Sequence, residues 1–137
     1  MIPFNVGALP HALVAAVLTT EHGIGVRNGC FCAHPHVTTL LGLDEREALR
    51  IRTELAAGDH RGVPGMVRIS FGMYNTSAEV DALTDALDSI ARGRYRGVYV
   101  QDRASGAYEA QGWTPDLAPY FRLRDSVSQA IGTPRCA

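Results

Sequence analysis

Between Val67 and Ile90 the chain changes its hydrophobic period once, and that change restricts the fold more than any other feature. Val67, Ile69 and Phe71 alternate with Arg68 and Ser70, the two-residue period of a strand with one apolar and one polar face. Thr76 and Glu79 then have the spacing of a capping box, and Val80, Leu83, Leu87 and Ile90 follow as a helical stripe. A strand that runs straight into a capped helix has to bury both stripes in one layer. Arg68 falls on the polar face of that strand.

The flanking segments repeat the theme. Ile2 to Val6 reads as a short strand, punctuated by Gly7 and Pro10. Leu13, Val14, Val17 and Leu18 form a helical stripe that Gly23 stops. Ile24 to Val26 is expected to be a strand ending in an Asn28-Gly29 turn, followed by a loop from Cys30 to His36. Asp44 with Glu47 opens a helix through about Ala57, which Gly58 ends. The expectation over residues 1–92 is an α+β chain. It is a small α/β sandwich in which a short three- to four-stranded sheet packs with helices. Residues 93–137 read as a C-terminal extension. Its first part suggests a hairpin, with Tyr95, Tyr99 and Tyr108 around Ala104-Ser105-Gly106. Its second part suggests a helix striped by Tyr120, Leu123, Val127 and Ile131. These aromatic residues are expected to pack on a neighbouring domain or subunit.

Charge and composition exclude several partners. The formal net charge is -1, so neither nucleic acid nor an anionic membrane is expected as the main partner. The longest apolar run, Ala12 to Leu18, is far short of the ~20 residues of a membrane span. Three unevenly spaced cysteines do not make a disulfide framework and suit a reducing cytoplasm. All 13 basic residues of the Lys-plus-Arg total are arginines. Without a lysine the chain cannot form an internal Schiff base.

Gly23 to Pro35 reads GIGVRNGCFCAHP and sets Arg27 and Cys32 around a tight glycine turn. A thiolate is a nucleophile and a guanidinium fork matches a carboxylate, so the two together suit attack on sulfur beside an anchored acid. Arg27 would favour the Cys32 thiolate if the loop folds back. Each residue also has a plainer reading. Cys32 would be a small buried thiol, and Arg68 a strand arginine paired with an Asp or Glu. Cys30, Cys32, His34 and His36 fall at every second position and invite a metal reading, with His22 or His60 as a second segment. A run that tight, stiffened by Pro35, rarely wraps a tetrahedron, so no metal is assigned and the two histidines are read as loop residues.

The segment GIGVRNGCFCA and the later VRISFGMYNTSAEVD with its helix resemble the C-terminal small domain of class V aminotransferases, the group that includes the cysteine desulfurases. The resemblance covers about residues 2–92. It implies an amino-acid substrate whose α-carboxylate Arg68 grips, with Arg27 beside it, and Cys32 as a candidate nucleophile that accepts sulfur. In a transaminase of the same family Cys32 would only line the loop. It also implies pyridoxal 5'-phosphate, held by a large domain that supplies the Schiff-base lysine, and a homodimeric partner. None of that large domain is in this sequence, so no cofactor-binding residue is assigned here. Because Met1 falls inside what reads as the first strand, the expectation is a fragment, a split subunit, a mis-called gene start or a stand-alone remnant. Alone it is expected to be inactive. The alternative is a non-catalytic module that docks a separately encoded large domain. Asn75 and Thr76 are assigned a structural role, Thr76 as the helix cap.

Overall fold

Alternation along one four-residue strand organises the molecule. In the computed structural model, which describes residues 1–114 and 116, that strand is β3 (Met66–Ile69). It lies at the centre of a three-stranded sheet between β1 (Ile2–Phe4) and β2 (Arg27–Gly29), and both pairings are antiparallel. Val67 points into the core with 0% exposure. It is flanked by Phe4 on β1 and by Asn28 on β2. The next residue, Arg68, therefore faces the other side of the sheet.

The core side is covered by two helices, α1 (His11–His22) and α4 (Ser77–Ala91). Leu13, Val14, Val17 and Leu18 of α1 meet Leu83, Ala86 and Ile90 of α4 over Val67. Gly23 ends α1 in the left-handed conformation (φ 65°), and its N–H bonds back to the Leu18 carbonyl. The Thr76–Glu79 capping box is present in full, with the Glu79 carboxylate accepting from the Thr76 N–H at 2.6 Å. Between β2 and β3 lie α2 (His34–Leu40) and α3 (Glu45–Ala56), the latter capped by Asp44, which accepts from the Glu47 N–H. β4 (Tyr99–Gln101) and β5 (Tyr108–Ala110) form the expected hairpin. Its Tyr99 and Tyr108, together with Tyr95, turn inward onto the same core.

The α+β architecture is as expected, with local departures. The strand after α1 is Arg27–Gly29, so Asn28-Gly29 is paired backbone and not a turn. Cys30 to His36 is not all loop: α2 begins at His34, with Pro35 in its first turn, where a missing N–H does no harm. Val80 is 39% exposed and Phe71, beyond the end of β3, is 44% exposed. Ala86 takes Val80's place in the stripe, and its small side chain admits α1. The helix expected over Tyr120 to Ile131 lies outside the described residues. Among the described residues no helix is long and apolar enough to cross a membrane.

Two features hold the layers in register. Gly65 is buried where the approach to β3 crosses β2: a Cβ there would stand 2.7 Å from the Gly29 Cα and 2.7 Å from His11 Nε2. The His11 Nε2 donates to the Val63 carbonyl at 3.1 Å, and its Nδ1 meets the Asn28 side-chain amide at 3.1 Å. At the other end of α1 the Glu21 carboxylate accepts from the Arg96 and Gly97 N–H groups and from the Tyr99 hydroxyl, at 2.8–3.0 Å. Burial opposes ionisation of Glu21, but the three donors outweigh it and hold its carboxyl below the ordinary 4.5. Burial and that carboxylate push the Tyr99 hydroxyl up to about 12.

Gly65→Ala should destabilise the chain by about 1–3 kcal/mol, because two backbone segments and a ring would have to separate; a denaturant midpoint equal to that of the parent would contradict the close approach. Folding favours ionised Glu21, so its contribution is complete above 4.5 and is lost as pH falls through the lowered folded value. Glu21→Gln should therefore lower stability by about 1–2 kcal/mol near neutrality. The gap should close on acidification, as followed by thermal melts across pH.

Candidate functional site

The polar face of the sheet carries an arrangement that nothing in the core requires. Arg27 and Arg68 are direct cross-strand partners in the β2–β3 register, so both side chains rise from the same face. Like charges directly opposite each other destabilise a strand pair. Neither guanidinium has an ion-pair partner among the described residues, whereas Arg50, Arg61, Arg92, Arg94 and Arg103 all pair with carboxylates. The plain reading of Arg68 as half of a strand ion pair is therefore not met.

Arg68 is also partly enclosed. Its Nε is buried and has no hydrogen-bond partner. Its guanidinium carbon lies 4.9 Å from the centroid of the Phe31 ring, a cation–π contact. One side of the fork is thus covered by an aromatic face, and among the described residues no hydrogen bond spends its donors. Unpaired donors on a half-buried planar cation suit a planar anion, and a carboxylate accepts from two of them at once.

Phe31 and Cys32 come from a turn that closes just after β2. The Ala33 N–H donates to the Cys30 carbonyl at 2.8 Å. Both central residues have positive φ, 52° at Phe31 and 63° at Cys32. Left-handed backbone costs a non-glycine residue about 1–2 kcal/mol, so two in succession form a strained turn. The turn divides its cysteines. Cys30 is buried and its thiol donates to the Pro64 carbonyl at 3.0 Å; burial pushes that thiol up, which favours the inert protonated form. Cys32 is a free, exposed thiol at the tip.

Of the residues singled out in the sequence, Arg27 and Arg68 are brought together, and Cys32 sits one residue beyond the ring that covers Arg68. Arg27 faces Arg68 across the strands. Among the described residues no three His, Cys, Asp or Glu side chains gather in a metal-binding group. Asn75 has the expected structural role: its side-chain oxygen accepts from the Gly72 N–H at 2.7 Å. That turn leaves Met73 and Tyr74 almost wholly in solvent, beside exposed Phe71. Phe31 was not singled out. No spacing marks it, because its partner lies thirty-odd positions on and only the register of β2 against β3 brings them together.

Comparison with known proteins bears on this site. The family model described as aminotransferase class-V matches residues 1–83, more than half of the chain. The molybdenum cofactor sulfurase of Drosophila melanogaster is 36% identical over 100 residues, which cover 65% of this chain and 13% of the relative. The cysteine desulfurase CsdA of Escherichia coli is 31% identical over 88 residues, 64% of this chain and 16% of the relative. A probable cysteine desulfurase of Vibrio cholerae is 38% identical over 72 residues, 53% of this chain and 13% of the relative. The chain thus spans between 13% and 16% of the length of these relatives. No solved structure matches it significantly.

Proposed function

Because this chain belongs to the aminotransferase class-V family, we propose that it is the substrate-facing small domain of a pyridoxal-phosphate-dependent, cysteine desulfurase-like enzyme acting on an amino acid. In this reading Arg68 binds the substrate α-carboxylate, Arg27 adds a second positive charge beside it, and Cys32 accepts sulfur. The observation that carries the reading is the buried, unpartnered Nε of Arg68 opposite Arg27, which has no ion-pair partner among the described residues. A cross-strand pair of cations with no acid between them is relieved by an anion bound from outside.

The residues present do not hold the cofactor. Pyridoxal phosphate is anchored through a lysine, and the chain has none. Another part of the enzyme, or another chain, would bind it and supply the electron sink for cleaving the substrate carbon–sulfur bond. What this chain contributes is placement. The Arg68 fork fixes the carboxylate in one plane, and the exposed turn presents the Cys32 sulfur from the adjacent edge. The Cys32 thiolate would attack the substrate sulfur, so that the S–S bond of a persulfide forms as the carbon–sulfur bond breaks; the electron pair of that bond goes to the carbon side, a proton completes it, and the desulfurated amino acid leaves. Both described cysteines are free, which suits a reducing compartment such as the cytoplasm. The chain alone would be inactive.

In the assembled enzyme supplied with pyridoxal phosphate and L-cysteine, cyanide should release protein-bound sulfur. Cys32→Ser should remove that sulfur, and Arg68→Lys should raise KM at least tenfold by losing the bidentate contact. Unchanged cyanide-labile sulfur in Cys32→Ser would sink the persulfide role and leave a transaminase.

One observation favours a second, compatible reading, in which the chain is a docking module for a separate large domain. Phe71 (44% exposed) and Tyr74 (85% exposed), with Met73, stand in solvent just past the strand that carries Arg68, on a turn fixed by Asn75. Size-exclusion chromatography should show self-association that disappears when a class V large domain is added. A monomer unaffected by that domain would count against docking.

A further inference from the structure

We infer that Phe31 is a positioning residue: its ring sets the aim of the Arg68 guanidinium, so the turn that presents Cys32 also orients the anion grip. The inference rests on the reading of Arg68 as a carboxylate-binding group. Three observations lead to it. First, Phe31 occupies a left-handed position (φ 52°), where glycine or asparagine would be the comfortable choice and a bulky aromatic is the least comfortable. Second, its ring is the only group that any described contact sets against the Arg68 fork, 4.9 Å from the guanidinium carbon. Third, among the described residues no hydrogen bond or carboxylate holds that fork, and its Nε is buried and unpartnered.

An arginine side chain without hydrogen bonds would ordinarily sample many rotamers, and each would aim the fork differently. Stacking on a fixed aromatic face confines it to one plane while leaving its donors unspent. A carboxylate or an amide in the place of the ring would restrain Arg68 too, but would consume the donors that the substrate needs. The ring restrains without competing. Because Phe31 and Cys32 are the two central residues of one closed turn, the fork and the thiol are also referred to the same short piece of backbone.

The test uses the full 137-residue chain and reads Arg68 directly, by 15N relaxation of its Nε–Hε group, assigned with Arg68→Lys. The parent should show an order parameter near that of rigid backbone, ~0.85. Phe31→Leu and Phe31→Asn should bring it below ~0.6, and Phe31→Tyr should keep it high. Asparagine suits the left-handed backbone, so Phe31→Asn removes the ring without adding strain and keeps the test usable if the leucine variant does not fold. Unaltered amide spectra elsewhere would exclude a merely structural loss. In a second arm acetate serves as the carboxylate probe, followed at the same Nε–Hε signal. The ring-free variants should bind it roughly three- to thirtyfold more weakly. An Arg68 that is mobile in the parent, or equally ordered without the ring, would overturn the inference whatever acetate does. Ring-dependent order with no acetate response in the parent would instead retire the carboxylate reading and leave Phe31's role standing.

Discussion

One strand serves two faces with incompatible chemistries, and the rest of the molecule follows from how it is held. Side chains on β3 alternate, so Val67 is fully buried in the core while its neighbour Arg68 stands on the opposite side of a sheet only one residue thick. A slip of one residue would bury the guanidinium and expose the valine. The devices that prevent the slip lie on the core side: the Gly65 crossing over Gly29, the His11 bridge between α1 and the Val63 carbonyl, and the packing of α1 and α4 over Val67. The placement of the charge on one face is thus secured by packing and hydrogen bonding on the other.

That division explains where unfavourable terms collect. The core cluster holds no buried polar or charged residue. The open face holds two directly opposed arginines, a buried nitrogen without a partner and two successive left-handed residues that are not glycine. Each of these alone opposes folding by an amount that a small domain notices. Their concentration within one turn and two strands is the ground on which the proposed carboxylate site rests. Five other described arginines pair with carboxylates, such as Glu54 for Arg50 and Asp88 for Arg92, whereas Arg46, Arg52 and Arg96 form no ion pair among the described residues.

What could be read from the sequence was what is local. The capping box at Thr76, the Asp44 cap, the Gly23 stop and the hairpin around Ser105 all depend on residues within a few positions, and all are present. Non-local pairing was not legible. Nothing in the spacing of Arg27 and Arg68 says that they face each other, since strand order β1-β3-β2 and antiparallel register are set by the whole sheet. The same holds for Glu21, which reaches across to the Arg96 and Gly97 backbone. The α2 helix was missed for a different reason. Pro35 reads as a stiffener of an extended run, yet in a first helical turn its fixed φ assists the start.

The cysteine-histidine run shows how backbone conformation overrides a ligand pattern. On an extended segment, residues 30, 32, 34 and 36 would project to one side and resemble a set of ligands. Two left-handed residues at 31 and 32 break that alternation. Cys30 is left pointing into the protein, spending its thiol on the Pro64 carbonyl, while Cys32 emerges at the tip. Helix α2 then takes over at His34, and a helix places residues two apart on different faces. The four side chains therefore cannot converge without unmaking both the turn and the first turn of α2. The same strain that breaks the alternation leaves the Cys32 sulfur in solvent, one residue from the aromatic ring that lies over Arg68.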